Sequence, residues 1–202
     1  MATHTAEGGV DLRRRRLLTA ATSVVGAVGA AYVAVPFVAS MSPSARARAI
    51  GAPVEAEIGG LEPGQRMTVK WRGKPVWIVR RTPENLEALA GLADRLRDPD
   101  SENLEQQPGY ARNLARAIRE EYLVVIGLCT HLGCAPTYMP VEAPPGTADW
   151  RGGFFCPCHG SVFDLAGRVY QGVPAPTNLV VPPYSYLSNT RIVIGVDQEA
   201  VG

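Results

Sequence analysis

Cysteine and histidine are nearly missing from this chain: of 202 residues four are cysteine and three histidine, and no cysteine precedes position 129. Cysteines and histidines placed for packing would be scattered; here all four cysteines and two of the three histidines fall into two hexapeptides, which excludes that origin. The remaining histidine, His4, lies in a polar N-terminal stretch. A surplus of charge is also lacking. Twenty Lys and Arg face 19 Asp and Glu, a net +1, so nothing argues for a nucleic-acid partner. Internal repeats are absent. The length leaves room for one ordinary domain with an appendage.

The two runs are Cys129-Thr130-His131-Leu132-Gly133-Cys134 and Cys156-Pro157-Cys158-His159-Gly160-Ser161. Cys129 and His131 stand two apart, and Cys156 and His159 three apart. Each run can therefore offer one thiolate and one imidazole to a shared centre. A structural Cys2His2 zinc site is one reading. A 2Fe–2S cluster with two Cys on one iron and two His on the other is the second. Zinc fingers pair Cys with Cys and His with His at short spacing, whereas each half here is mixed, which suits the binuclear group.

These runs resemble the Rieske iron–sulfur proteins of cytochrome bc-type complexes (quinol:cytochrome c reductases), in their bacterial form. The likeness is specific over 129–134 and 156–161 and looser over the rest of the chain. It implies one 2Fe–2S cluster per chain, with Cys129 and Cys156 as thiolate ligands and His131 and His159 as imidazole ligands. It implies a disulfide between Cys134 and Cys158, worth roughly 3 kcal/mol in the chain-entropy model. Rieske ferredoxins and ring-hydroxylating dioxygenases typically lack that pair, so its presence points to the quinol-oxidising branch in an oxidising compartment. By the same resemblance His159 faces the quinol with His131 beside it, and Ser161 donates to a bridging sulfide. Leu132 shields the cluster from water. Phe163 stands where many members carry a tyrosine donating to a ligand sulfur, so that donor is absent. Gly172-Val173-Pro174-Ala175-Pro176 resembles the family's proline loop, interrupted by Val173.

Upstream, residues 1–16 read as a cytoplasmic tail ending in four arginines, and 17–41 as a transmembrane anchor of 25 residues without a charge. A helix of that length exceeds the roughly 30 Å hydrocarbon core, and a signal-peptide apolar region would be only about 7–15 residues. Gly26 and Gly29 offer it a small-residue face. The arginines hold the N-terminus in the cytoplasm, which places the remainder on the periplasmic side of a bacterial inner membrane. Arg14-Arg15-Arg16-Leu17-Leu18 also resembles a twin-arginine export signal. Residues 42–53 read as a linker, which the family uses as a hinge.

From 54 to 202 the expectation is a mainly β domain. In the resemblance this is an antiparallel Rieske-type β-sandwich with a cluster-binding subdomain at about 128–176. One helical insertion, about 82–120, interrupts it. Strands are expected at Val54–Ile58, Met67–Trp71, Pro75–Arg80, Tyr122–Leu128 and Phe154-Phe155. Further ones follow at Val162-Phe163, Arg168–Tyr170, Leu179–Val181, Tyr184–Leu187 and Arg191–Val196. Thr82-Pro83 opens a helix whose stripe of Leu86, Leu89, Ala90, Ala93 and Leu96 runs towards Asp98-Pro99. Residues 100–119 read as a surface segment, with Arg112, Arg116, Arg119, Glu120 and Glu121 on a solvated face. Pro144-Pro145-Gly146 reads as a turn between the two cluster runs.

The resemblance implies electron transfer from quinol to a c-type cytochrome, alongside cytochrome b and cytochrome c1 in a dimeric complex. A swinging head domain would carry the electron. Two further readings stay open: the Rieske subunit of another periplasmic oxidoreductase of the arsenite-oxidase kind, and a membrane-tethered zinc domain.

Overall fold

The computed structural model describes residues 11–197 apart from 145, 146 and 148. Pro145 and Gly146 of the expected turn, and the first ten residues of the tail, lie outside the described residues. The chain divides into two units, Met1–Arg48 and Ala49–Gly202.

The first unit is built on helix α1, Leu12–Ser40. Asp11 caps it by accepting from the backbone N–H groups of Arg13 and Arg14 at 3.0 and 3.1 Å. At 1.5 Å per residue its 29 residues span about 43 Å, long and apolar enough to cross a membrane, and none of its side chains is buried. Four arginines in its first turns oppose the helix dipole, so local helix energetics do not account for them. A short helix α2, Ala45–Gly51, forms within the stretch expected to be a plain linker.

Among the described residues the second unit holds three antiparallel three-stranded sheets. In the first, β1 (Val54–Glu57) pairs with β9 (Arg191–Ile194), which pairs with β8 (Tyr184–Tyr186). In the second, β2 (Arg66–Trp71), β3 (Lys74–Arg80) and β4 (Tyr122–Ile126) lie side by side, with Trp77 opposite Val125. The third consists of β5 (Thr137–Met139), β6 (Gly153–Phe155) and β7 (Val162–Asp164). A single core joins all three, with Ile192 and Tyr184 from the first, Trp71 and Trp77 from the second, and Phe154 and Phe163 from the third. Trp77 stacks on Phe154 with ring centroids 5.2 Å apart.

The expected strands at Arg168–Tyr170 and Leu179–Val181 do not become regular strands. Val169 and Tyr170 make isolated bridges to Phe163 and Leu96. Val180 and Val181 each use one ladder-like bond, to Ile126 and Gln106; Pro182 and Pro183 follow, and neither can donate. The helix opened by Thr82 is shorter than its apolar stripe suggests. It is α3, Pro83–Ala90, with a reciprocal capping box between Thr82 and Asn85. A 3-10 turn takes over at Ala93–Arg95, and Leu96 bridges to Tyr170 instead of continuing the helix.

Residues 100–119 are not a plain surface segment. They carry 3-10 turns at Leu104–Gln106 and Gly109–Ala111, and Arg116 is fully buried. Its guanidinium donates to the carbonyls of Ala166, Gly167, Gln106 and Leu179 and to Gln107 Oε1. Arg81 and Arg168 are equally buried. Arg81 donates to the carbonyls of Ala115, Glu120 and Leu165. Arg168 reaches Leu89 and Pro99 and is ion-paired with buried Asp164 at 2.7 Å. Burial pushes the Arg81 and Arg116 guanidiniums down to about 10. The cationic side chains at 81, 116 and 168 thus stitch the insertion to the hairpin behind the second cluster run.

Candidate metal centre

β4 feeds the first cysteine run and β6 the second. Both runs fold into the same six-residue loop. The N–H of the first residue donates to the carbonyl of the sixth, Cys129 to Cys134 at 2.7 Å and Cys156 to Ser161 at 2.8 Å. The N–H of the fifth donates back to the first, Gly133 to Cys129 and Gly160 to Cys156, each at 2.9 Å. That fifth residue sits in the left-handed region, φ +80° at Gly133 and +76° at Gly160, which costs a side-chain-bearing residue roughly 1–2 kcal/mol. The shared glycine at the fifth place of both runs is the sequence signal of this equivalence.

The loops place their chemistry in two groups. Cys129 and Cys156 are buried free thiols, and the Cys129 thiol lies beside that of Cys156. Burial raises the pKa of Cys156, and the neighbouring Cys129 adds to the rise, while the backbone N–H groups of Cys158 and His159 donate to its sulfur and oppose it. The imidazoles of His131 and His159 form the other group, with ring centroids 4.8 Å apart and planes at 84°. His131 is half-buried and its Nδ1 has no hydrogen-bond partner among the described residues; His159 is exposed. An unpaired buried ring nitrogen is costly unless something absent from the polypeptide occupies it.

This donor set fits a two-metal group better than a single ion. A tetrahedral zinc, bound at about 2.3 Å to sulfur and 2.0–2.1 Å to nitrogen, would draw all its donor atoms within about 4 Å of one another. Among the described residues no three of Cys129, His131, Cys156 and His159 come within 4.8 Å; the triple that does is Cys134, Cys156 and Cys158. Two of those are not available as thiolates, because Cys134 and Cys158 form a disulfide joining the loops.

A third segment ties both loops together. The Thr130 hydroxyl donates to the Thr177 carbonyl at 2.7 Å, and the Ala175 N–H donates to Ser161 Oγ at 3.0 Å. Ser161 is fully buried, and accepting from Ala175 leaves its hydroxyl proton free to donate elsewhere. Arg97 reaches the Val173 carbonyl at 3.2 Å. Ala175 belongs to the stretch 172–176 that resembles the family's proline loop, and Thr130 to the first run; Arg97 carried no signal in the sequence, since the carbonyl it reaches is 76 residues away along the chain. At the outer end of the first loop Leu132 is 71% exposed. Phe163 is buried in the core and pairs across strands with Phe154.

The family model described as "Rieske [2Fe-2S] domain" matches residues 97–185. A second, described as "Ubiquitinol-cytochrome C reductase Fe-S subunit TAT signal", matches residues 4–44. The chain is 63% identical over 191 residues to the ubiquinol-cytochrome c reductase iron-sulfur subunit of Allochromatium vinosum, covering 94% of this chain and 92% of that one. It is 45% identical to the subunit of the same name from Bradyrhizobium diazoefficiens, over 90% of this chain and 94% of the other. A solved chain titled "Hyperthermophilic respiratory Complex III" is 25% identical, with 86% of this chain and 98% of that chain covered and a TM-score of 0.46. With paired Cys–His loops, a disulfide between them and such identity along nearly its whole length, the chain belongs to the ubiquinol-cytochrome c reductase iron-sulfur subunits, a Rieske family.

Proposed function

We infer that this chain is the electron-transferring subunit of a quinol:cytochrome c reductase, an oxidoreductase that acts as an assembled complex, and that it carries a Rieske 2Fe–2S cluster. Cys129 and Cys156 would hold one iron and His131 and His159 the other. The observation that carries this assignment is the pairing of two adjacent imidazoles, one with a buried unpartnered Nδ1, with two adjacent buried thiols. When bound, a cluster with imidazoles in place of two thiolates supplies a one-electron acceptor at roughly −150 to +300 mV, against about −400 mV for plant-type ferredoxins.

The protein's own groups prepare the rest. His159, exposed at the loop end, presents an imidazole that accepts the hydroxyl hydrogen of a quinol and holds its proton. With Nδ1 of His131 turned inward, Nε2 is the atom left to face outward. Leu132 gives the same tip an apolar surface that excludes water when it docks. The N–H groups of Cys158 and His159 and the free proton of Ser161 are donors positioned to stabilise added negative charge.

The α1 helix anchors the chain in a membrane, and its arginines favour a cytoplasmic N-terminus with the cluster domain in the periplasm. Cytochrome b and cytochrome c1 of a dimeric complex are the proposed neighbours, with quinol as the donor. Residues 42–53 would let the head alternate between them.

The test is iron and acid-labile sulfide analysis with EPR of the reduced, full-length chain. Two irons, two sulfides and the low average g value of two-His ligation are expected; zinc without sulfide overturns the reading. Phe163→Tyr, which restores a donor near the ligand sulfurs, is expected to raise the potential by about 40–80 mV, taking 1–2 kcal/mol per bond and 59 mV per tenfold. An unchanged redox titration would count against that role.

A further inference from the structure

Among the described residues the buried charged side chains are Arg81, Arg116, Arg168 and Asp164, three positive charges against one negative. Arg168 and Asp164 answer each other at 2.7 Å. Arg81 and Arg116 meet no carboxylate: their acceptors are backbone carbonyls and the neutral amide of Gln107. Arg81 Nη2 and Arg116 Nε have no acceptor among the described residues. Neutral donors can satisfy carbonyls, so stitching segments together does not by itself call for a charge, and an unpaired buried charge is costly. Both guanidiniums stay charged at neutral pH, since burial brings them down only to about 10. Half-buried Asp98 near Arg116 and exposed Glu120 near Arg81 reach water, which weakens their reply.

Arg116 sits beneath the metal loops. Its Nη2 donates at 2.9 Å to the carbonyl of Leu179, two residues past Thr177, whose own carbonyl holds Thr130 of the first run. A Cβ added at Gly167 would stand 3.3 Å from Arg116 Nη1 and 3.4 Å from Val125 Cγ1. Val125 belongs to β4 and shares one core with Cys129 and Cys156. Cys129 follows it by four residues, at most about 14 Å of chain.

We propose that the unanswered charge of Arg116, with a smaller share from Arg81, raises the reduction potential of the cluster held by these loops. The proposal rests on the cluster assignment made above. An electron arriving from quinol adds one negative charge, which a fixed positive charge in a dry interior stabilises without having to move. At about 15 Å and an effective dielectric of about 20, Coulomb's law gives a roughly sixfold bias towards the reduced form. That is about 45 mV at 59 mV per tenfold. The direction is opposite to that of the donor lost at Phe163.

The experiment is a redox titration of the full-length, cluster-loaded chain in detergent, followed by EPR of the reduced form at one pH. Thermal melts run beside it. Arg116→Gln keeps donors for the carbonyls and removes the charge, so its potential should fall by roughly sixfold, about 45 mV. Arg116→Lys keeps the charge and loses the bonds; it should melt earlier yet stay within about twofold of the unaltered chain, roughly 18 mV. Arg112→Gln makes the same charge change at an exposed side chain of the same segment and should leave the potential unmoved. If Arg116→Gln does not hold a cluster, Arg81→Gln and Asp164→Asn decide: the first should lower the potential, and the second, which withdraws the buried negative charge, should raise it. An unmoved potential in a loaded Arg116→Gln overturns the proposal. So do equal shifts from Gln and Lys at 116, which would mark lost bonds as the cause, and so does a downward shift from Asp164→Asn. Zinc without sulfide in the unaltered chain overturns the cluster assignment and this proposal with it.

Discussion

The two cysteine loops share one backbone and differ in nearly everything attached to it. Each closes on itself through the same pair of hydrogen bonds and turns on a left-handed glycine. Their first residues, Cys129 and Cys156, are both buried. The third place holds His131 in one loop and the disulfide cysteine Cys158 in the other. The fourth holds exposed Leu132 and exposed His159, and the sixth Cys134 and buried Ser161. The loop frame therefore places the two free cysteines at equivalent positions and the two imidazoles at different ones. One ring is half-buried beside its neighbour, and the other is open to a partner.

Support is unequal as well. Behind the second loop stands the hairpin through β7, with Asp164 accepting from the N–H groups of Ala166 and Arg168 at 2.9 and 2.7 Å and from the Arg168 guanidinium. The first loop has no comparable backing among the described residues; it depends on the disulfide and on Thr130.

The largest expected effect is on that backing. Arg168→Met strands the buried Asp164 carboxylate, and removing one partner of such a pair costs about 3–5 kcal/mol. Urea unfolding followed by circular dichroism measures it, and a loss below about 1 kcal/mol, the range of exposed pairs, would mean that the network does not hold the second loop. Next comes the bond that joins the loops. Cys134→Ser with Cys158→Ser should lower stability by roughly 3 kcal/mol and hasten bleaching of the visible absorbance. An unchanged bleaching rate would show that the loops hold together without it.

Smaller effects separate the loops by their hold on residues 172–177. Ser161→Ala leaves the Ala175 N–H buried without an acceptor, at about 1–3 kcal/mol, while Thr130→Ala frees a half-buried carbonyl at about 0.5–1.5 kcal/mol. Only the first should lower the reduction potential, by about 40–80 mV at 59 mV per tenfold. Equal shifts from both would erase the distinction drawn for Ser161. Smallest is the matched pair Gly133→Ala and Gly160→Ala. Nothing lies within 4 Å of an added Cβ at either place, so each should cost only the left-handed strain of roughly 1–2 kcal/mol. Thermal melts that differ widely between the two would break the equivalence of the frames.

Much of the site was legible because its parts are local. Cys129 and His131, or Cys156 and His159, are set by spacing within a six-residue loop, and the glycine at the fifth place marks the turn. The sheets followed from short apolar runs, although Leu179–Val181 failed as a strand because two prolines end its ladder. Arg116 was misread. In a polar stretch it looks solvent-facing, and the carbonyls that satisfy it come from residues 106, 166, 167 and 179.

The order of residues alone determined which side chains carry sulfur and imidazole nitrogen at short spacing and where an uncharged span begins and ends, since chemical type and short-range spacing do not depend on folding. Only the packed structure decided that thiols gather apart from imidazoles and that three guanidiniums go inside, whereas the Cys134–Cys158 bond is the one the family resemblance implied. Those outcomes depend on segments far apart in the chain being brought together, and burial then makes every unpaired polar atom too costly to leave unanswered.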